Sequence, residues 1–422
     1  MNTHITTVAE GLRVMTTEMP DAQSVSVNIF IGAGSRYETL PISGVSHYLE
    51  HMLFKGTPKR PTAMMVAEAI EAAGGRTNAF TSHEVTCFLA KVPYDQLPIA
   101  LDVIADIVQH PLLAQEEVDR ERQVIIEEIR RGHDSHGGWA SELSHSALFG
   151  DQPLGWSIAG TEDTVRGISR QDLADYVGSW YVPNNCVVSV AGNCTHQQVL
   201  DLIGSHYSAK ADLAVGTWSP ASKPAPTQKV VVETRPISQA NLSIVMLGMG
   251  RHDPDRYAFT VMTSLLGSGM SSRLFKEVRE RRGLAYSVGC GAARYHDTGA
   301  LYTSAGVAPE KLVEATKVIM GEYRKIVDET VSEEELTKAR DFSAGSFRLG
   351  LEDTMSVARW TGDSLINTGE VLQVEDVVAK LKAITAADVQ RVAKRIFVNN
   401  AVAVGVTSPQ DDTEALLDAL RN

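Results

Sequence analysis

Cysteine is scarce and unpatterned in this chain. Cys87, Cys186, Cys194 and Cys290 are the only four in 422 residues, with no C-x-x-C spacing. Each sits in or beside an apolar run, which predicts buried, reduced thiols. No stretch of 18 or more apolar residues occurs, so no membrane span is predicted. Met1 to Leu12 lacks the apolar h-region of a secretory signal. An excess of positive charge is missing too: a net charge of -13 argues against general nucleic-acid binding and favours neutral or cationic partners. G-x-S-x-G, G-x-G-x-x-G and G-x-x-x-x-G-K are all absent, and Gly267-Ser268-Gly269 reads as a helix-end turn, not a phosphate loop. These absences predict a cytoplasmic protein with no nucleic-acid or membrane partner.

What is present suffices for large cores. With 43% hydrophobic and 22% charged residues over 422 positions, the chain is an ordinary protein of two or more domains. Thr6 to Met15 and Ser24 to Ile31 read as strands, Thr62 to Ala73 as a helix, and Arg76 to Phe80 and Val85 to Val92 as two further strands. Helices are predicted over Tyr94 to Val108 and Gln115 to Arg131, the second ended by Gly132, and Cys186 to Ala191 reads as a buried strand. Pro220, Pro224 and Pro226 mark a linker, after which the pattern restarts with strands at Lys229 to Glu233 and Leu242 to Leu247. Ile168, Asp172, Val182 and Asn184 recur as Ile384, Asp388, Val398 and Asn400, a constant offset of 216 (384 against 168). An internal duplication follows. The expected organisation is a domain over 1–214, a linker over 215–229 and a homologous domain over 230–422.

Chemistry concentrates in Ser43 to Gly56, S-G-V-S-H-Y-L-E-H-M-L-F-K-G. Ser43 is cap-competent, the residues after it favour helix, and Lys55-Gly56 is a C-terminal stop. His47 and His51 then stack on one helical face with Glu50 beside them. Two imidazoles on one turn can chelate zinc, and a third protein ligand leaves the fourth position for water, as catalytic zinc requires. The neighbouring carboxylate can take that water's proton. The order is H-x-x-E-H, the inverse of the commoner H-E-x-x-H. At the offset of 216, Thr263 and Gly267 stand where a second pair of histidines would fall, so one half alone carries the motif.

The third ligand is sought on Gln115 to Arg131. Val118, Ile125 and Ile129 define its buried face at about 100° per residue. Glu127 points away from that face; Glu128 lies on its flank, in line with Glu121 one heptad earlier. Glu128 is therefore the predicted ligand, and Glu121 a carboxylate able to orient a ligating histidine. His133 and His136 are expected in a solvated segment, and His83 follows the strand ending at Phe80.

Together G-V-S-H-Y-L-E-H-M-L-F-K-G-T, G-G-R-T-N-A-F-T-S-H-E and E-R-Q-V-I-I-E-E resemble the pitrilysin/insulinase family of zinc peptidases, in particular the branch of the mitochondrial processing peptidase β subunit and its bacterial relatives. The likeness covers nearly the whole chain. It implies an α+β fold of two similar halves, each an antiparallel sheet packed with helices. It implies one zinc per chain held by His47, His51 and Glu128, with Glu50 as general base and Glu121 in support. It also implies that Asn78, Ala79 and Phe80 lie on an edge strand that pairs with an extended peptide. Arg279 and Tyr286, in S-R-L-F-K-E-V-R-E-R-R-G-L-A-Y, resemble the pair that grips substrate and stabilises the oxyanion. Larger relatives enclose the peptide with four such halves in one chain. This chain has two, so a homodimer with its active site shared between chains is expected. The activity implied is endopeptidase cleavage of short or unfolded peptides. A non-catalytic core-type subunit, as in respiratory cytochrome bc complexes, and a peptide-binding module of the same fold are the alternatives.

Overall fold

The computed structural model describes residues 2–8, 11–204, 215–222, 224, 227–398 and 400–421. Eleven strands among them form two sheets. The first has six: β1 (Asn2–Thr7), β2 (Arg13–Glu18), β3 (Ser24–Ile31), β4 (Arg76–Thr81), β5 (Thr86–Pro93) and β6 (Cys186–Gly192), in the order β1-β2-β6-β3-β5-β4. The second has five: β7 (Gln228–Thr234), β8 (Ala240–Gly248), β9 (Ala285–Arg294), β10 (Gly299–Val307) and β11 (Val402–Ser408), in the order β7-β11-β8-β10-β9. Without β1 the two orders superimpose strand for strand. In each sheet one pair is parallel (β2 with β6, β7 with β11) and the rest are antiparallel. The two similar halves, each a mainly antiparallel sheet packed with helices, are as expected, and each adds one parallel crossover.

The offset of 216 runs through this architecture. β6 and β11 start at 186 and 402, β3 and β8 at 24 and 240. Helices Arg170–Trp180 and Ala386–Phe397 keep it as well, and each opens on a capping box, Ser169 with Asp172 in one and Thr385 with Asp388 in the other. Sheet faces bury Val25, Val27, Ile29 and Ile31 in one half and Leu242, Ile244 and Met246 in the other, each against its own helices.

The compact units do not follow chain order. One comprises Met1–Ile129, Trp156–Ser219 and Leu349–Gln373; the other Arg130–Gly155, Pro220–Arg348 and Val374–Asn422. Helix His136–Phe149 packs on β8 and β11, whereas helix Thr354–Thr368, late in the chain, packs on β3 and β6. Each half of the sequence lends one helix to the other half's sheet. Of the stretch read as a linker, residues 223, 225 and 226, with Pro226 among them, lie outside the described residues, as do residues 205–214 before it. Trp218 and Ser219 pack on Arg36, whose guanidinium carbon is 4.3 Å from the indole centroid and whose Nε donates to the Ser219 carbonyl at 3.1 Å.

Local boundaries differ where backbone geometry intervenes. Thr6 to Met15 is not one strand: the chain turns at Gly11, whose φ is 84°, and forms a β1–β2 hairpin. Gly132 does not end its helix, which runs Gln115–Asp134. Cys87, Cys186 and Cys194 are buried free thiols and Cys290 is partly buried.

Candidate metal centre

The motif helix is Val45–Met52, with a 3-10 turn at Leu53–Lys55 and Gly56 at φ 135°. Its start is built differently from the expectation. Ser43 makes no side-chain cap; the Glu38 carboxylate accepts from the N–H groups of Gly44 and Ser46 at 2.7 and 2.9 Å. Anions belong at this positive helix end. Burial nevertheless pushes the Glu38 carboxyl up to about 7, against the pull of the two N–H donors. Gly44 has φ 98°, and a Cβ there would approach the Ala159 carbonyl to 2.6 Å, so glycine is required. Glu38 was missed in the sequence because it lies six and eight residues before its donors, outside capping-box spacing.

His47 and His51 converge with ring centroids 4.9 Å apart. The helix Gln115–Asp134 brings Glu128 to them: its Oε2 lies 3.7 Å from His47 Nε2 and 3.3 Å from His51 Nε2. One ligand atom from each of the three residues falls within 4.8 Å of the others. Glu127, one residue earlier, is exposed. Glu121 is buried on the same helix; its Oε2 lies 3.2 Å from His51 Nδ1 and its Oε1 2.6 Å from Lys55 Nζ. That contact directs the Nδ1–H of His51 to Glu121 and turns Nε2 towards Glu128.

The two imidazoles are shifted in opposite directions. Burial and the neighbouring His51 lower His47 to about 4, so it is a neutral donor at neutral pH. For His51, burial opposes the charge, but hydrogen bonds to Glu121 and Glu128 outweigh it and raise the ring to about 9. Burial also works against the charge of Glu121, yet the bonds from His51 and Lys55 hold its carboxyl below the usual range. Two imidazole nitrogens and a carboxylate oxygen facing one point suit zinc, a borderline-soft ion served by nitrogen and oxygen donors. The donor set fits the ion.

Glu50 faces the same region from the motif helix. Burial raises its carboxyl above the ordinary value, and Thr81 Oγ1 donates to its Oε2 at 2.7 Å. Thr81 is the last residue of β4, the outer strand of its sheet, which pairs only with β5. It thus ties the carboxylate to the strand carrying Asn78, Ala79 and Phe80. It sits one residue beyond the Asn78–Phe80 stretch and carries no charge, so the sequence did not single it out. On β4 itself, the Ala79 N–H donates to Asn78 Oδ1 at 2.9 Å.

Arg279 and Tyr286 belong to the second compact unit. Arg279 lies in a short π-helical segment, Phe275–Arg281, and its guanidinium carbon stands 4.9 Å from the Phe275 ring centroid and 5.5 Å from that of Tyr286. Tyr286, on the outer strand β9, is 80% exposed. The structure therefore joins these two as a stacked pair on an open strand edge. His83 bonds through Nδ1 to Ser35 Oγ at 2.9 Å. His133 and His136 lie in a largely exposed stretch, as expected, but in helices, with His133 Nε2 3.2 Å from Glu233 and its ring against Trp139.

With this geometry in view, the class is plain: a two-unit α+β protein whose first unit holds a His-His-Glu group on two helices beside an open strand. Residues 13–162 match the insulinase family, peptidase family M16, and residues 167–342 match the family described as the peptidase M16 inactive domain. An uncharacterised zinc protease of Streptomyces coelicolor is 36% identical over 97% of this chain and 90% of its own length. One of Bacillus subtilis is 33% identical over 96% of this chain and 97% of its own. Among solved structures, a protease from Helicobacter pylori aligns with a TM-score of 0.89 at 23% identity, over 97% of this chain and 99% of its own. A peptidase M16 inactive domain from Pseudomonas fluorescens aligns at 0.88 and 19%, over 97% and 99%. A chain of complex III from Candida albicans aligns at 0.86 and 21%, over 99% of both. The chain belongs to the insulinase family of peptidases, M16. Among the described residues no helix is long and apolar enough to cross a membrane.

Proposed function

We propose that the protein is a zinc-dependent endopeptidase that hydrolyses peptide bonds in short or unfolded peptides, working in the cytoplasm as a homodimer. The observation that carries this is the meeting of three features in one unit. His47, His51 and Glu128 converge, Glu50 stands beside them with its carboxyl raised, and Thr81 ties Glu50 to an unpaired strand edge. Zinc held by the triad would supply Lewis acidity for water and for the scissile carbonyl. The chain's own residues do the rest. β4 offers backbone N–H and C=O groups to an extended substrate, which it orders by strand addition. Glu50 accepts a proton from the attacking water and returns it to the leaving amine, and its raised pKa suits both transfers. Glu121 and Lys55 fix the ring of His51. Arg279 and Tyr286 supply donors for substrate and for developing negative charge.

The variant Glu50→Gln tests the chemistry. It should keep zinc and fold but lose about 10²- to 10⁴-fold in turnover of an unstructured peptide. Near-normal turnover would sink the assignment of Glu50. The shared-site homodimer has its own test. Glu50→Gln and Arg279→Ala should each be nearly inactive, and their mixture should recover to about a quarter of wild type once chains exchange. No recovery after exchange, checked by native mass spectrometry, would place both groups' work within one chain. A core-type subunit or peptide-binding module would bind peptide and leave it intact.

A further inference from the structure

Strand β4 has two faces, and only one serves the metal centre. Ala79 is paired with Phe88 and packs against the core cluster that includes Leu49 and Met52 of the motif helix, and Thr81 reaches Glu50. Asn78 and Phe80 point the other way: their partners Leu89 and Cys87 lie in a separate cluster with Phe30 and Leu365, under helix Thr354–Thr368. On that far face one charged group stands out. Arg359, exposed on the helix, holds its guanidinium carbon 4.3 Å from the centroid of the Phe80 ring. Among the described residues no carboxylate lies within ion-pair distance of it. Asp363, one turn further on, accepts from the Asn367 amide at 2.9 Å.

We infer that Arg359 is a specificity-determining residue that selects an acidic side chain in the peptide substrate. The inference rests on the peptidase reading above and adds the substrate's chemistry to it. A peptide added to the open edge of β4 places its side chains alternately on the two faces. Those beside Ala79 and Thr81 look towards the metal ligands. Those beside Asn78 and Phe80 stand about 5 Å away across the strands, under Arg359. The ring fixes the plane of the guanidinium and leaves its N–H edges open, the arrangement in which arginine takes a carboxylate through two parallel hydrogen bonds. The chain as a whole carries a net charge of -13 and repels acidic peptides, so a cation held on the binding edge discriminates by position and not by overall charge.

The test is a set of unstructured peptides of one sequence, with Glu, Gln or Lys scanned through each position around the cleavage site. Zinc-loaded wild type should favour Glu over Gln by about 10-fold in kcat/KM at one position whose side chain lies on the far face. Arg359→Gln should erase that preference and Arg359→Glu should turn it towards Lys, while preferences at the alternate positions stay put. Arg359→Lys should retain part of it, which a merely packing role would not require. Equal Glu/Gln ratios in wild type and Arg359→Gln would overturn the inference. Anisotropy of the same peptides, fluorescently labelled, on the Glu50→Gln protein reads the preference without turnover. A preference in binding that vanishes with Arg359→Gln, alongside a wild type that cuts nothing, would uphold the inference and remove the peptidase reading. Peptides neither bound nor cut would remove both.

Discussion

The two halves of this chain share strand order, parallel crossover and capping boxes, yet at the positions of the metal motif they diverge completely. In the first, His47 and His51 look out from Val45–Met52 towards Glu128. In the second, the offset of 216 puts Thr263 and Gly267 on helix Arg256–Gly267. Thr263 is buried and turns its hydroxyl back to the Phe259 carbonyl at 2.7 Å. At Gly267 a Cβ would collide with the backbone and side chain of Cys290 on β9. At this position the second helix presses its backbone onto its own edge strand, whereas the first meets its edge strand through side chains, Glu50 with Thr81 among them. A histidine is not merely missing at 267; the space for one is filled. Fold and chemistry have separate requirements: the sheet needs its alternating apolar faces, and the site needs room beside the strand for two imidazoles.

The sharpest break of this comparison is metal content. One zinc per chain is expected, all of it on the first unit. Glu128→Gln should remove most of it and with it the activity, while Glu127→Gln, altering an exposed carboxylate, should leave both intact. Metal analysis after gel filtration decides. Two zinc ions per chain, or equal loss in both variants, would undo the reading. A smaller effect is expected at Glu121. It touches no ligand-convergence point itself but fixes His51, so Glu121→Gln should weaken zinc about 10- to 100-fold while leaving the fold intact. Competition with a chelator measures it.

The same comparison shows how much was legible in the sequence. Both helices bearing the ligands were, because His47 and His51 are four apart and Glu128 sits on the flank of an apolar stripe that any helical wheel displays. Strands such as Ser24–Ile31 were, because Val25, Val27, Ile29 and Ile31 recur at every second position, the period of a strand. The cap from Glu38 was not, since it closes a loop instead of a turn. Nor was the exchange of helices His136–Phe149 and Thr354–Thr368, because a local pattern states that a face is apolar without stating which sheet will cover it. Arg359 stayed hidden for the same reason: its place beside Phe80 depends on that exchange.

The exchanged helices give a matched pair of next smaller effects. Helix Thr354–Thr368 approaches its sheet through Gly362, where a methyl would press into the Phe30 ring and towards Ser189 of β6. In the other half the small residue is on the strand: Gly405, 216 beyond Ser189, lies beneath the Ala140 carbonyl and Ser144. Room for the crossing is made by the helix in one case and by the strand in the other. Gly362→Ala and Gly405→Ala should each destabilise their own unit by about 1–3 kcal/mol, the range for overpacked cores. Calorimetry should show a lowered transition in each. If Gly405→Ala is silent, the strand does not set that spacing.

The smallest effect separates the capping boxes of Ser169 and Thr385, which share one pattern, a hydroxyl residue with Asp three positions on. In both, the aspartate carboxylate accepts from the N-cap backbone, at 2.8 Å from Ser169 and 2.9 Å from Thr385. Asp388 has a further partner on its own helix face: Arg391 donates to its other oxygen at 2.7 Å. Both carboxyls sit below the usual carboxylate range, first through the hydroxyls of Ser169 and Thr385, and Asp388 is brought down to about 2. Ser169→Ala and Thr385→Ala should each cost about 1 kcal/mol, the ordinary worth of such a cap. Asp388→Asn should cost slightly more than Asp172→Asn at neutral pH, by no more than about 1 kcal/mol, because an exposed pair is screened by solvent. The sign follows from the lowered pKa. The Asp388 contribution is complete above about pH 4, where the unfolded aspartate is ionised, and fades as pH falls through 2, where the folded one takes up its proton. The gap between Asp388→Asn and wild type in urea melts should therefore close on acidification across that window. A gap that stayed constant from pH 5 to pH 2 would show that the carboxylate's charge does no work there and that the box holds through its neutral hydrogen bonds alone.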